Sequence, residues 1–189
     1  MKDRRKLLLV VDMQHDFVDG VFGSSAAAAI VPKVIEKIEN WPGLVIFTRD
    51  SHGDYEWEKP VRTEECKIFP PHCIWDWQAI EKGETIGYSF VDGIKELAEA
   101  DEDMILEKSD FSYEWWGEWE KPKLNLFSEI EIVGLCTDIC VLSNALVLRA
   151  IDGYMPITVD ASCCAGSSPE AHAAALLVMK NNAIKVINE

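Results

Sequence analysis

The sequence predicts an α/β protein in which a parallel sheet carries helices on both faces, a three-layer arrangement. Three observations point there. Short continuous apolar runs such as Lys6 to Val11 (KLLLVV) read as strands buried on both sides. Segments with apolar residues at helical spacing separate them, and the alternation continues from one end to the other with no repeat or linker. The 189 residues are expected to form one domain spanning 1–189, with an irregular insertion at about 51–88.

Lys6 to Val11 opens the alternation as strand one. Ile30, Val31, Val34, Ile35 and Ile38 recur at helical intervals, with Pro32 tolerable only in a first turn. Leu44 to Thr48 is strand two, Val91 to Ala100 a helix, Asp103 to Glu107 strand three and Glu129 to Leu135 strand four. From Asp138 to Asp152 the spacing of Cys140, Leu142, Ala145, Leu146 and Arg149 is helical, and Gly153 suits a C-terminal cap. Tyr154 to Asp160 is strand five. Ser168-Pro169-Glu170 is a helix-start signal for the stretch reaching about Asn181, and Ile184 to Ile187 is a last short strand. Ser51 to Tyr88 and Ser109 to Glu120 break the pattern; long irregular stretches inside a domain are usually functional.

Composition narrows the function. Hydrophobic residues at 48% and charged residues at 27% fit a globular chain and exclude wholesale disorder. Eighteen Lys plus Arg against 33 Asp plus Glu give −15, which repels nucleic acid and anionic membranes and suits a neutral substrate. No run approaches the roughly 20 apolar residues of a membrane span. The basic start, Met1 to Lys6, precedes only Leu7 to Val11, too short for a signal-peptide core. Cys66, Cys73, Cys136, Cys140, Cys163 and Cys164 form no CxxC pair and are expected as reduced thiols in a cytoplasmic protein.

Ligands of an open parallel sheet bind beyond the carboxyl ends of its strands. Asp12 follows strand one, Asp50 and His52 follow strand two, Lys108 follows strand three, and Cys136-Thr137-Asp138-Ile139-Cys140 follows strand four. Taken singly, Asp12 reads equally as a turn cap, Lys108 as a solvated lysine and Cys140 as a small buried residue. Together they make an acyl-transfer set: a proton carrier, a cation favouring thiolate and a nucleophile. A place in the first turn of a helix beside a lysine would lower the Cys140 pKa.

Asp50 and His52, at i and i+2 in extended chain, face the same side. His72 arrives behind Pro70 and Pro71, and Glu65 offers a second carboxylate. Two histidines and one or two carboxylates suit Zn²⁺, Fe²⁺ or Mn²⁺, against the alternative of loop-packing residues. His15 and His172 read as surface or structural. Trp115, Trp116 and Trp119 would wall a flat ring substrate, or else plug the sheet edge or a subunit contact.

Asp12-Met13-Gln14-His15-Asp16-Phe17, Lys108 and Gly134-Leu135-Cys136-Thr137-Asp138-Ile139-Cys140-Val141 resemble the motifs of isochorismatase-like cysteine hydrolases over nearly the whole chain. Within that superfamily, Thr48 to His52 together with Glu65-Cys66-Lys67-Ile68-Phe69-Pro70-Pro71-His72-Cys73 is similar to bacterial nicotinamidases, whose metal constellation isochorismatases proper do not share. The resemblance implies a six-stranded parallel sheet of Rossmann-type order and a triad of Asp12, Lys108 and Cys140. It implies a cis peptide between Leu135 and Cys136, and an oxyanion hole from the backbone N–H groups of Cys136 and Cys140. It also implies one divalent ion on Asp50, His52, Glu65 and His72, with zinc ranked ahead of iron and manganese. Phe17, Phe69 and Phe111 are the implied substrate contacts, and the Trp-rich stretch departs from the family's small-residue pattern. The expected reaction is hydrolysis of nicotinamide to nicotinate and ammonia through a thioester, within NAD salvage. The alternatives are another small amide or N-carbamoyl substrate, or a catalytically silent binding or redox-sensing module in which Cys140 is merely oxidisable. A small neutral aromatic amide is the expected partner, and homo-oligomerisation is left open.

Overall fold

Residues 6–82, 84, 86–117 and 124–189 are described by a computed structural model of the chain. Six parallel strands, β1 (Lys6–Val11), β2 (Leu44–Asp50), β3 (Ile105–Lys108), β4 (Glu129–Leu135), β5 (Ile157–Ala165) and β6 (Lys185–Ile187), lie in the order β3-β2-β1-β4-β5-β6. Among the described residues the α-helices are α1 (His15–Val18), α2 (Ser25–Asn40), α3 (Tyr55–Glu58), α4 (Glu64–Ile68), α5 (Trp77–Glu81), α6 (Ile94–Ala98), α7 (Leu142–Ile151) and α8 (Pro169–Asn181). A turn of π-helix, Thr137–Val141, leads into α7. No described helix is long and apolar enough to cross a membrane.

The central strand explains the layering. Side chains alternate along a strand, so β1 sends Leu7, Leu9 and Val11 into one core and Leu8 and Val10 into the other. The first core is completed by Ala145 and Leu148 of α7 and Ala175, Leu176 and Met179 of α8. The second is completed by Ile30, Val34 and Ile38 of α2 and Ile94 of α6. At the heart of the sheet a Cβ on Gly134, whose φ is +117°, would stand 2.1 Å from the Val11 carbonyl oxygen. Only glycine lets β4 approach β1 this closely there.

Several boundaries differ from the sequence reading. The helix expected from Ile30 begins at Ser25, with the Ser24 hydroxyl accepting from Ala27 N–H, so Pro32 lies inside it. The run Ala26 to Ala29 is a strong enough helix former to precede the proline. Strand five is shifted to Ile157–Ala165, because the Asp152 carboxylate accepts from Tyr154 N–H (2.8 Å) and Met155 N–H (3.2 Å) and makes that segment a turn. Glu102–Met104 is a 3₁₀ turn, so β3 begins only at Ile105, and it runs on to include Lys108, which pairs with Asp50 of β2. The irregular 51–88 stretch contains α3, α4 and α5. The segment Met1 to Arg5, and Trp119, lie outside the described residues.

Candidate active site

Parallel register sets the site. Asp50 pairs with Lys108 across β2 and β3, and β1, which ends just before Asp12, runs between β2 and β4. Asp12 leaves its strand at φ 48°, an uncommon conformation for a non-glycine residue and one that clusters at functional sites. Thr48 Oγ1 donates to Asp12 Oδ1 at 2.6 Å, while Oδ2 lies 2.8 Å from Lys108 Nζ. The same ammonium is 2.9 Å from Asp50 Oδ1 and 3.6 Å from Cys140 Sγ. Asp12 and the side chain of Lys108 are wholly buried.

Charge balance within this buried group decides its protonation. Burial works against the Lys108 ammonium, but Asp12, Cys140 and Asp50 outweigh it and hold it well above its ordinary value. Burial raises the Asp12 carboxyl despite Lys108, and Asp50 adds to the rise. For Asp50, burial is overcome by Lys108, His52 and His72, which hold it well below the ordinary carboxylate range. The lowered pKa expected for Cys140 is not found. Burial pushes the thiol well above its usual value, Asp12 and Asp50 add to the rise, and the attraction of Lys108 does not offset them. The helix-start argument lacked the depth of the residue, which only the tertiary fold supplies.

Beside this group, Asp50 Oδ2 lies 3.2 Å from His52 Nε2 and 3.3 Å from His72 Nε2. Glu65 Oε1, on α4, is 3.7 Å from His72 Nε2 and 4.0 Å from His52 Nε2. Backbone bonds from His52 N–H to the Cys73 carbonyl (3.1 Å) and from Trp75 N–H to the His52 carbonyl (3.0 Å) lay the later segment alongside the first, which delivers His72. The Pro70 carbonyl accepts from His72 Nδ1 at 2.8 Å, leaving Nε2 to face the cluster. Candidate ligand atoms of Asp50, His52 and His72 lie within 4.8 Å of one another. Asp50 Oδ2 and His52 Nε2 are buried and, though 3.2 Å apart, make no well-directed hydrogen bond, a costly arrangement that a divalent cation would relieve. Burial opposes the charged form of His52, but Asp50, Glu56 and Glu65 carry its pKa up to about 9. The donor set therefore fits a divalent metal, and Glu65 is placed to join it.

A hollow of about 310 Å³ opens over both groups, lined by Cys136, Cys140, Asp50, Glu65 and His72 and walled by Phe17, Phe22, Phe69 and Phe111. The peptide between Leu135 and Cys136 is cis, as the resemblance implies. Neither Trp115 nor Trp116 lines this hollow: Trp115 is half exposed, and Trp116 is fully buried with Nε1 donating to Asn144 Oδ1 at 2.8 Å. Phenylalanines form the aromatic wall instead. His172 is structural, its Nδ1 bonded to Thr137 Oγ1 at 2.8 Å, and His15 pairs with Asp19.

Sequence reasoning missed five supporting residues. Gln14 is wholly buried, donates to the Asp50 and Tyr88 carbonyls and accepts from Asp50 N–H, locking the ends of β1 and β2 together. Asn144 donates to the Cys140 carbonyl at 2.9 Å and accepts from Tyr113 N–H and Trp116. Thr48 braces Asp12, Glu56 contacts His52 Nδ1 at 3.2 Å, and Phe22 stands edge-on to His72. Gln14, two residues beyond Asp12 in a run that leaves a buried strand, carried a usable signal; the other four did not.

The chain belongs to the isochorismatase domain family, whose sequence model matches residues 6–189. It is 28% identical to a nicotinamidase of Schizosaccharomyces pombe, over 96% of this chain and 92% of that protein. It is also 28% identical to a probable inactive nicotinamidase of Arabidopsis thaliana, over 96% and 91%. Among solved structures, the pyrazinamidase of Pyrococcus horikoshii in complex with zinc superposes with a TM-score of 0.75 at 25% identity, covering 98% of this chain and 99% of that one.

Proposed function

We propose that the protein is a metal-containing cysteine amidohydrolase that converts nicotinamide to nicotinate and ammonia through a thioester on Cys140. One observation carries the reading. A buried ammonium, Lys108 Nζ, stands behind the hollow, 2.8 Å from Asp12 Oδ2 and 3.6 Å from the Sγ of Cys140, which lines the aromatic cavity together with Asp50 and His72. Similarity to the zinc-bound pyrazinamidase and the yeast nicotinamidase named above supports the choice of an aromatic amide as substrate.

Cys140 rests as a thiol, so attack begins with transfer of its proton to Asp12, whose carboxyl pKa burial already raises. Lys108 stays protonated and holds the sulfur's developing charge. The sulfur adds to the carboxamide carbon, and the backbone N–H groups of Cys136 and Cys140 take the oxyanion, a contribution of about 3 kcal/mol per donor. Asp12 then protonates the nitrogen, and ammonia departs. Water, deprotonated by Asp12, attacks the thioester, and nicotinate leaves as Cys140 recovers its proton. Asp50, His52, Glu65 and His72 would hold the divalent ion, zinc ranked ahead of iron and manganese, which when bound offers a Lewis-acid contact for the ring nitrogen. Phe17, Phe22, Phe69 and Phe111 clasp the flat ring and shed its water. Six buried free thiols suit a reducing, cytoplasmic setting.

The test is ammonia release from nicotinamide, set beside an N-carbamoyl amine and aliphatic amides. Nicotinamide is expected to be the best substrate. Preference for the N-carbamoyl compound would move the protein to another cysteine hydrolase class. No turnover of any amide would align it with the probable inactive relative.

A further inference from the structure

His52 is gripped from outside the metal cluster. Its Nδ1 lies 3.2 Å from Oε2 of Glu56, which stands in the short helix α3 that follows, and the ring stands edge-on to Trp57 with centroids 5.2 Å apart. The other carboxylate oxygen of Glu56 is fixed in turn, accepting from Gly53 N–H at 2.7 Å. Trp57 anchors α3 by donating from Nε1 to the Phe69 carbonyl at 3.0 Å. The two histidines are therefore backed unequally: His72 by the neutral Pro70 carbonyl, His52 by a carboxylate held at both oxygens.

We propose that Glu56 is a positioning residue for the metal site, taking the Nδ1–H of His52 and thereby aiming the Nε2 lone pair at the ion shared with Asp50, His72 and Glu65. A carboxylate behind an imidazole fixes the tautomer and makes the ligating nitrogen more basic. The inference rests on the metal reading above and adds to it a residue that does not itself touch the ion. Glu56 also faces a second hollow, lined by His52, Tyr55, Trp75 and Tyr88, that shares no lining residue with the substrate hollow. The brace thus lies outside the space the amide occupies.

Glu56→Gln tests it with little change in shape. The amide has one donor end, so whichever way it turns, its NH₂ opposes either the Nδ1–H of His52 or the Gly53 N–H. Zinc affinity of metal-free wild type, Glu56→Gln and His52→Ala is measured by competition with a chelating indicator, alongside the melting temperature of each metal-free protein. Glu56→Gln should bind zinc about 10–100-fold more weakly and release it faster, with the metal-free melting temperature little changed. Unchanged zinc affinity in Glu56→Gln, with His52→Ala impaired, would overturn the positioning role and leave the metal reading standing. Zinc binding absent from wild type, or unaltered in His52→Ala, would overturn the metal reading and the role of Glu56 with it. Should the variant not fold, long-range ¹H–¹⁵N spectra of zinc-loaded wild type decide: His52 must carry its proton on Nδ1 and bind through Nε2, and the reverse assignment refutes the inference.

Discussion

Lys108 Nζ lies 2.9 Å from Asp50 Oδ1, so the cation that flanks Cys140 is also held by the carboxylate facing His52 and His72. The proposed nucleophile and the proposed metal ligands are thus one electrostatic unit. A change at either end is felt at the other, because the Lys108 ammonium contacts both directly.

Removing that cation should be costly. Lys108→Met leaves Asp12 and Asp50 as two buried carboxylates without their common partner. Urea denaturation near neutral pH should show a loss of about 3–5 kcal/mol, alongside loss of amide hydrolysis. Wild-type stability in this variant would mean that the carboxylates are protonated or solvated in the native protein.

The resting state of Cys140 is open to direct chemical test. Burial holds its thiol well above the ordinary value, so without substrate it should react with iodoacetamide at neutral pH more slowly than free glutathione does. Mass-spectrometric mapping of the labelled cysteine checks this. Faster labelling than glutathione would show a standing thiolate, and proton transfer to Asp12 would then not be the first step.

Acid sensitivity has an identifiable contributor away from the site. Burial pushes the Asp160 carboxyl up, but hydrogen bonds from Lys37, Ser162 and Asn188 outweigh it and hold it below the ordinary aspartate value. A group depressed on folding stabilises the native state above its unfolded value, and that contribution fades as pH falls through the folded value. Asp160→Asn should therefore lower stability near neutral pH by about 1–3 kcal/mol. The difference from wild type should shrink steadily below about pH 4. A gap that stays constant down to low pH would show that packing, not charge, sets the effect.

How far the sequence speaks depends on the range of the interaction. Asp12, Asp50, Lys108 and Cys140 were readable because each stands where a recognisable strand ends, and a parallel sheet brings those ends to one edge. The pairing of Asp50 with His52 followed from strand periodicity, and His72 was placed by its prolines and by the family resemblance. Asn144, Thr48 and Glu56 were not readable, since a polar residue in a helix or strand declares its bond only when the partner arrives from elsewhere. Phe22 looked like any apolar residue, whereas the conspicuous tryptophans drew attention that the hollow gives to phenylalanines. The high Cys140 pKa is a property of depth, which no spacing encodes.

The most direct test of the account is to mix the protein with nicotinamide, quench in acid within one turnover and search the peptide carrying Cys140 for a nicotinoyl thioester. Wild type should carry the adduct on Cys140, and Cys140→Ala should carry none while releasing no ammonia. Ammonia release by Cys140→Ala at a rate near wild type would contradict covalent catalysis at this sulfur.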